Sequence, residues 1–510
     1  MSIKSLAKDT AVYGLSSIVG RFLNWCLVPL YVYLFPTEEY GIVTYLYGVT
    51  AVMLVILNYG METGFFRFAN KEEDPEKVYT TSLISVGSTS LIFLILLTIF
   101  LHPISDGLKL PDQSLFVWLI GATVAVDAFC NLPFAYLRYK NKSWRFAGIK
   151  LINVALNIVL NLFFLLLCPV IAKSNPGFIS WFYQPLGGEN FGIGWIFIAN
   201  IISSYIILLL LMPQIMGRVW RFSGRLLKQM LSYSWPLLIL AIAGMLSQNM
   251  GQLLIPYLIS DEEAARSMIG IYGANMKIAI VMVMFTQAFR YAYEPFIFSQ
   301  AKKAGESSRQ MYADAMKYFV IFGWLIFLGV MFYLPFVRYF ISPAYWEGLQ
   351  VVPVMMGAEL CFGVFFNLSL WYKLTDRTRW GMYLSLICFG IMLGLNIWLV
   401  PFIGIPNGYM GSAWGALTAY FLVMLLSYFL GKKYYPLPYE VKRIGAYTVL
   451  VGVFYVCGMM ITGFFPDWAL YTVRTLLIVI YAGVIAHFEN IPLISSYTRR
   501  FTSRLPLILP

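Results

Sequence analysis

Long apolar runs alternate with short polar segments along almost the whole chain. Each run is about 17 to 25 residues long, and a helix rising about 1.5 Å per residue needs about 20 residues to cross a hydrocarbon layer of about 30 Å. The pattern therefore predicts fourteen membrane spans, numbered 1 to 14 in chain order. They cover residues 10–34, 41–61, 80–101, 115–136, 146–169, 191–213, 232–257, 269–291, 316–336, 350–372, 380–401, 411–431, 442–463 and 469–487.

The composition is typical of a polytopic membrane protein. Of the 510 residues, 60% are hydrophobic and only 12% are charged, and the mean hydropathy is +0.74. Soluble globular chains carry about 25% charged residues. The first apolar run is too long for a signal-peptide core and lacks a small-residue cleavage site, so we expect a retained span. The six cysteines form no C-x-x-C pair, so neither a disulfide framework nor a metal site is predicted.

The positive charges predict the orientation of the chain. With a cytoplasmic N-terminus, 29 of the 36 Lys and Arg residues belong to cytoplasmic segments, four to outer loops and three to the interior of spans. Positive charges accumulate on the cytoplasmic side of membrane proteins, so both termini are predicted to be cytoplasmic. The net charge of +12 is then explained by topology and by contact with anionic membrane lipids. We expect no nucleic-acid partner.

The order of the spans predicts an all-α fold of two six-helix lobes around a central cavity, followed by two C-terminal helices. Residues 1–213 form the first lobe and residues 232–431 the second. Residues 214–231 are basic and amphipathic, and we interpret them as a cytoplasmic connector. Residues 432–510 hold spans 13 and 14 and a cytoplasmic tail.

Five ionisable residues lie well inside predicted spans: Arg21, Asp127, Lys277, Glu359 and Arg474. A charge at that depth is costly and indicates either function or pairing with another charge. Arg21 and Lys277 come from opposite lobes, and two cations facing one cavity predict a site for phosphate or pyrophosphate. A structural pair such as Arg21 with Asp127 is the alternative.

The remaining intramembrane charges have less specific interpretations. Asp127 and Glu359 are either counter-ions or sites that couple transport to Na⁺ or H⁺, and the sequence leaves both interpretations open. Arg474 lies near the outer end of span 14, where a long side chain extends to the interface, and we expect that ordinary role.

Amides inside the spans are candidates for a polar cavity lining. In span 5, Asn153, Asn157 and Asn161 repeat every four residues and share one helical face. Such a ladder either lines a path for sugar hydroxyls or forms interhelical hydrogen bonds. The candidate lining residues are Asn24, Asn153, Asn157, Gln248 and Gln252.

Signals of catalysis are missing from the sequence. The two histidines, His102 and His487, lie at span ends, and we find no paired carboxylates, glycine-rich phosphate loop or H-E-x-x-H motif. The longest cytoplasmic loops, residues 62–79 and 292–315, are too short to form a domain. We therefore expect no enzyme and no cofactor, and any coupling would be to Na⁺, H⁺ or the membrane potential.

Two patches resemble polysaccharide and O-antigen flippases of the Wzx type. The first is LFPTEEYGIVTYLYG followed by LNYGMETGFFRF, with Glu39-Tyr40-Gly41 before span 2 and Gly60 to Arg67-Phe68 after it. The second is GIYGANMKIAIVMVMFTQAFRYAYEPFIFSQAKKAG, which contains Ala288-Phe289 and Glu294-Pro295-Phe296.

This resemblance implies membership of the superfamily that also contains the lipid II flippase MurJ and the MATE drug exporters. It implies two lobes around a V-shaped cavity and alternating access. By position, Arg21 and Lys277 match the cavity cations of the flippases, and spans 13 and 14 match the two extra MurJ helices that form a lipid-tail groove. MATE members more usually carry a carboxylate in the first span, so Arg21 favours an anionic substrate.

The function expected from these features is flipping of undecaprenyl-pyrophosphate-linked oligosaccharide from the cytoplasmic to the outer leaflet of a bacterial inner membrane. The expected partners are this substrate, membrane lipids and the polysaccharide polymerase machinery. The alternatives are a MATE-like cation-coupled antiporter of small molecules, a MurJ-like lipid II flippase and a membrane enzyme of polysaccharide assembly.

Overall fold

The regular structure of the chain consists of helices. The computed structural model describes residues 19–20, 22–174, 177, 182–300, 306–375, 377, 379–461 and 466–489, and no strand occurs among them. In this part of the chain, thirteen helices are long and apolar enough to cross a membrane, and one shorter apolar helix precedes them. We label them α1 (Phe22–Leu34), α2 (Thr37–Ala69), α3 (Pro75–Ile99), α4 (Pro111–Tyr139), α5 (Ser143–Ser174), α6 (Gly194–Ile215), α7 (Gly224–Gln248), α8 (Glu262–Arg290), α9 (Arg309–Phe332), α10 (Pro343–Leu374), α11 (Arg379–Ile403), α12 (Tyr409–Tyr434), α13 (Val441–Met460) and α14 (Trp468–Phe488).

These helices confirm the predicted all-α, multi-pass membrane fold. Helices α2 to α14 coincide one for one with predicted spans 2 to 14. Span 1 is only partly described, and the structure gives α1 from Phe22 onward. Helix α8 continues beyond its apolar part as far as Gln300. The described residues form further short helices between these: three α-helices (Leu101–Gly107, Met250–Leu258 and Leu334–Val337) and two 3-10 helices (Gly188–Phe191 and Arg338–Phe340).

Local sequence explains where several helices begin or bend. Helix α2 breaks at Tyr59 and Gly60, whose φ angles of 31° and 70° are both left-handed. At Gly60 a side chain would also meet Ser234, because a Cβ there would lie 3.1 Å from the Ser234 Cβ. Helix α3 begins with Pro75 after Asp74, whose Oδ1 accepts a hydrogen bond of 3.1 Å from the Lys77 amide.

The chain folds into two compact units. The first contains residues 1–277, 341–348 and 382–419. Part of its core is an aromatic cluster between α2, α3 and α4, in which Phe65, Tyr79 and Tyr136 are buried. The Tyr79 and Tyr136 rings lie 4.2 Å apart, and an edge of Tyr79 packs on Phe65 at 5.7 Å. This apolar packing fixes the ends of α2, α3 and α4 relative to one another.

The second unit contains residues 278–340, 349–381 and 420–510. Its centre is α9, which packs against α10, α13 and α14. In the α9–α13 contact, the Trp324 indole donates a hydrogen bond of 3.0 Å to Thr448 Oγ1. The boundary between the units falls after Lys277 within α8, and the predicted lobes 1–213 and 232–431 stay a prediction.

Candidate functional site

Lys277 lies in α8, within the apolar part of the chain. Its side chain is half-buried, and no carboxylate of the described residues lies within 4.0 Å of its ammonium group. The carbonyl oxygen of Lys277 accepts a hydrogen bond of 2.7 Å from the indole of Trp25 in α1. The other predicted cation, Arg21, lies outside the described residues, four positions before Trp25 in the sequence. The described structure therefore places α1 directly against α8 at the lysine.

Three of the predicted lining amides lie near the first two helices and α7. Asn24 and Gln248 are exposed, and Gln252 is half-buried. A Cβ built on Gly48 of α2 would lie 3.2 Å from Gln252 Oε1, so this amide packs against the backbone of α2. These contacts do not join the three amides into one cluster.

The asparagine ladder of α5 forms hydrogen bonds between helices. Asn153 Oδ1 accepts from Ser203 Oγ at 2.6 Å. Asn157 Nδ2 donates to Asn200 Oδ1 at 2.6 Å, and Asn200 donates in turn to the hydroxyl of Tyr47 at 2.8 Å.

At its third position the ladder also reaches α1, because Tyr31 donates a hydrogen bond of 3.0 Å to Asn161 Oδ1. The network thus connects α5 with α6, α2 and α1. These are interhelical hydrogen bonds, as one of the two interpretations predicts, and the role of Asn153 and Asn157 in lining a cavity stays a prediction. Tyr47 is 36% exposed and forms the accessible end of the network.

The two intramembrane carboxylates have different surroundings. Asp127 in α4 accepts a hydrogen bond of 2.7 Å from Ser204 Oγ in α6. Glu359 in α10 is half-buried and forms no ion pair with the described residues. Asp127 therefore takes part in a hydrogen bond between α4 and α6, whereas no described cation pairs with the carboxylate of Glu359. A pair between Arg21 and Asp127 involves residue 21 and lies outside the described residues.

Helices α2 and α8 cross with their backbones in direct contact at the end predicted to face outward. Cβ atoms built on Gly41 and Gly270 would overlap the carbonyl oxygens of Arg266 and Thr37, respectively. Beside the crossing, the hydroxyls of Thr37 and Ser267 are 2.8 Å apart. This contact gives Gly41, a residue of the Glu39-Tyr40-Gly41 patch, a physical role: only glycine allows so close an approach.

The end of the first unit predicted to be cytoplasmic carries a network of ion pairs. Glu76 lies 3.1 Å from both Arg218 Nη1 and Lys140 Nζ, and Arg221 pairs with Asp74 at 3.1 Å. The hydrogen bond to Glu76 raises the pKa of Lys140. Because Arg218 and Arg221 belong to the connector before α7, the network fixes this segment to α3 and α4.

Two charged residues have structural roles that sequence reasoning missed. Arg474 is buried and donates hydrogen bonds of 3.1 Å to the carbonyl oxygens of Phe332 and Gly458. Arg474 therefore stabilises the C-terminal ends of α9 and α13, where helix carbonyls attract a positive charge, and the expected extension to the interface is wrong.

Lys317 of α9 is the second such residue, with a side chain only 5% exposed. It pairs with Glu489 at 2.6 Å and with Glu440 at 3.2 Å. Lys317 and Glu440 are more than 120 positions apart in the sequence. No local sequence pattern could therefore predict that they form a pair.

Comparison with protein families gives the decisive observation. A family model described as "Polysaccharide biosynthesis protein" matches residues 6–299. The chain belongs to this family. The matched stretch includes Arg21, Asp127 and Lys277, and Glu359 lies beyond it. A search of curated protein sequences finds no match.

Solved structures similar to this family member include a lipid II flippase and multidrug transporters. The lipid II flippase MurJ in an inward closed conformation matches with a TM-score of 0.70 at 13% identity, covering 95% of this chain and 99% of MurJ. An inward-facing multidrug resistance MATE family transporter of the MOP superfamily matches with a TM-score of 0.64 at 12% identity, covering 84% and 95%. A crystal structure of MATE in the straight conformation matches with a TM-score of 0.55 at 15% identity, covering 87% and 96%. These likenesses establish a MurJ- and MATE-like fold, as the resemblance implied.

Proposed function

We propose that the protein is a flippase that moves undecaprenyl-pyrophosphate-linked oligosaccharide from the cytoplasmic to the outer leaflet of a bacterial inner membrane by alternating access. The observation that carries the proposal is a polysaccharide-biosynthesis family match on a chain with a MurJ-like fold. A chain with this fold and short loops acts within the membrane. The step of polysaccharide synthesis that suits it is the transfer of a lipid-linked intermediate across the bilayer.

The intramembrane cations support an anionic substrate. Lys277 has no carboxylate partner among the described residues, so its charge is available to a ligand. We assign the diphosphate to Lys277 and Arg21, since lysine acts as a point charge and arginine binds phosphate oxygens bidentately. The sugar would occupy an aqueous cavity lined by amides, and the lipid tail would stay in the bilayer or in a groove beside α13 and α14.

The energy source is part of the proposal. An inside-negative potential drives negative charge outward, and 100 mV contributes about 2.3 kcal/mol per charge. Asp127 and Glu359 are the candidate sites for additional coupling to Na⁺ or H⁺.

The polysaccharide polymerase machinery is the proposed partner on the outer face.

The test is deletion of the gene followed by analysis of lipid-linked intermediates in the two leaflets. We expect undecaprenyl-linked oligosaccharide to accumulate facing the cytoplasm, and the wild-type chain to restore export. Lys277→Ala and Arg21→Ala should each fail to restore it, whereas Lys277→Arg should restore part. The matched control is Lys173→Ala, which removes a 73% exposed lysine from a predicted outer loop.

Other outcomes would point to other functions. Resistance to small-molecule drugs on overexpression, with unchanged glycan intermediates, would identify an antiporter. Accumulation of inward-facing lipid II would identify a peptidoglycan flippase. A glycan of altered linkage, without inward-facing intermediates, would identify an assembly enzyme and overturn the proposal.

A further inference from the structure

Five polar side chains of the first unit form a row of hydrogen bonds that all point the same way. Tyr31 donates its hydroxyl hydrogen to Asn161 at 3.0 Å, and the Asn161 amide donates to Asn157 Oδ1 at 3.2 Å. Asn157 then donates to Asn200 at 2.6 Å, and Asn200 donates to the hydroxyl oxygen of Tyr47 at 2.8 Å. Each bond in such a row polarises the next, so the row strengthens the last O–H group as a donor.

Tyr47 ends this row with a hydrogen that no described residue accepts. Its hydroxyl oxygen accepts the bond from Asn200, and its own O–H group has no acceptor in the described part of the chain. Tyr47 is exposed and Asn200 is half-buried. The Asn200 amide carries two hydrogens and uses one of them in the bond to Tyr47. The row therefore ends in an accessible pair of hydrogen-bond donors.

This pair of donors lies deep in the membrane. Tyr47 is close to the middle of Thr37–Asn58, the first part of α2, and about 20 residues cross the hydrocarbon layer. Lipid tails offer no hydrogen-bond acceptor, so a polar hydrogen that faced them would stay unpaired at a considerable cost in free energy. The accessible surface at Tyr47 and Asn200 is therefore suited to an aqueous path rather than to lipid.

Lys277 of α8 lies at the same level of the membrane as Tyr47. Helices α2 and α8 contact each other at two successive positions, Gly41 with Gly270 and Thr44 with Gly273. Both helices advance by three residues between these contacts, so they run parallel and in step. The next turn of each helix brings Tyr47 and Lys277 to one level. A sugar attached to a phosphate at Lys277 would therefore lie beside the donors at Tyr47.

We propose that Tyr47 and Asn200 bind the sugar that is linked directly to the diphosphate, with Tyr47 donating to a sugar hydroxyl or to an acetamido carbonyl. This inference rests on the proposed function, because it takes Lys277 as a binding site for the diphosphate. The lysine attracts the charged phosphate oxygens, whereas neutral donors suit the neutral oxygens of a sugar. The tyrosine ring adds an apolar face for the sugar ring. Asn157 and Asn161, which would not touch the sugar, are positioning residues.

The experiment measures binding of polyprenyl diphosphates to the full chain in nanodiscs of phosphatidylcholine. The probes are farnesyl diphosphate and three conjugates that carry glucose, galactose or N-acetylglucosamine on the outer phosphate. The ratio of the affinity of a conjugate to that of farnesyl diphosphate gives the contribution of the sugar. We expect at least one conjugate to bind the wild type more tightly than farnesyl diphosphate does. Tyr47→Phe should lower this ratio about 2- to 10-fold, the effect of one hydrogen bond, and leave farnesyl diphosphate binding unchanged.

The matched control is Tyr205→Phe. Tyr205 lies on α6, as Asn200 does, is 49% exposed and forms no hydrogen bond with the described residues. Its variant loses the same hydroxyl group and should keep the wild-type ratio. Asn200→Leu removes the donor behind Tyr47 and should lower the ratio at least as far as Tyr47→Phe does. Thermal unfolding of each variant verifies folding, because a purely structural role would lower the stability and leave the ratio unchanged.

Two results would overturn the sugar site. The first is a folded Tyr47→Phe variant that keeps the wild-type ratio, or that weakens farnesyl diphosphate and its conjugates equally. The second is a wild type that binds none of the three conjugates more tightly than farnesyl diphosphate.

The flippase proposal is tested apart from this site. Lys277→Ala should weaken all four probes alike, which tests the diphosphate assignment, and the export of lipid-linked intermediates is scored in cells. If the deletion strain shows no inward-facing intermediates, the flippase proposal fails, whereas a lowered ratio in Tyr47→Phe still supports the sugar site.

Discussion

Gly41 of α2 and Gly270 of α8 meet backbone to backbone. A Cβ built on Gly41 would lie 3.2 Å from the Gly270 nitrogen, and one built on Gly270 would lie 3.1 Å from the Gly41 nitrogen. Both atoms would also overlap a carbonyl oxygen of the facing helix. The crossing is thus restricted to glycine by backbone atoms, which cannot rotate away as a side chain can.

Adding one methyl group at this crossing should separate the two helices. We expect Gly41→Ala and Gly270→Ala each to lower the free energy of unfolding by about 1–3 kcal/mol, the usual cost of overpacking. Thermal unfolding of the detergent-solubilised protein measures the effect. The control is Gly244→Ala in α7, where a Cβ meets no atom within 4 Å and alanine favours the helix. If the Gly41 and Gly270 variants behave like the Gly244 variant, the helices are not in backbone contact.

The hydrophobic pattern predicted the fold well because each span is a property of contiguous residues. The positions of α2 to α14 depend on length and apolarity, which the sequence displays directly. The partners of the polar residues depend instead on which helices become neighbours and on how each is rotated. The sequence of the asparagine ladder, for example, does not identify Ser203 and Asn200 as its hydrogen-bond partners, because these partners depend on how α5 and α6 pack.

Lys317 holds three helices together through buried charge. Its ammonium group contacts Glu489, whose side chain is 3% exposed, so truncating the lysine would leave a carboxylate buried without its main partner. Lys317→Ala should therefore cost about 3–5 kcal/mol of stability. Lys442→Ala, at an exposed lysine near the start of α13, should stay within about 0.5 kcal/mol of the wild type. Comparable thermal unfolding of the two variants would contradict a stabilising role for the Lys317 cluster.

The same cluster should make stability depend on acidity. Burial alone would raise the pKa of Glu489, but hydrogen bonds from Lys317 and Tyr447 and the charge of Arg443 together lower it. A carboxylate with a lowered folded-state pKa stabilises the protein above its unfolded pKa of about 4.3, and this contribution disappears as the pH falls through the lower folded value.

We therefore expect the stability advantage of the wild type over Glu489→Gln to be constant near neutral pH and to shrink below about pH 4. Thermal unfolding of both proteins from neutral to acidic pH measures this difference. A difference that stays constant down to the acid limit would show that the charge of Glu489 does not contribute.

Arg474 should be replaceable only by a side chain that reaches two helix ends. Its Nε and Nη1 atoms donate to Gly458 and Phe332, which lie near the ends of α13 and α9. Arg474→Leu removes both bonds and should cost about 2–4 kcal/mol, since hydrogen bonds to charged groups contribute about 1.5–3 kcal/mol each and losses are not additive. Arg474→Lys keeps the charge but not the planar fork and should recover only part. Leu476→Ala, at a 52% exposed position on the same helix, is the control, and an equal loss there would argue against the double contact.

Asp127 offers a way to separate helix packing from ion coupling. An asparagine in its place still presents an oxygen to the Ser204 hydroxyl, which now donates at 2.7 Å, so we expect Asp127→Asn to fold with stability within about 1 kcal/mol of the wild type. If Asp127 couples transport to Na⁺ or H⁺, as we propose, the variant should lose the acceleration that an imposed ion gradient gives to translocation in proteoliposomes. Asp112→Asn removes an exposed carboxylate just before the long helical part of α4 and should retain that acceleration. Full gradient dependence in Asp127→Asn would restrict Asp127 to its structural bond with α6 and leave Glu359 as the remaining candidate for coupling.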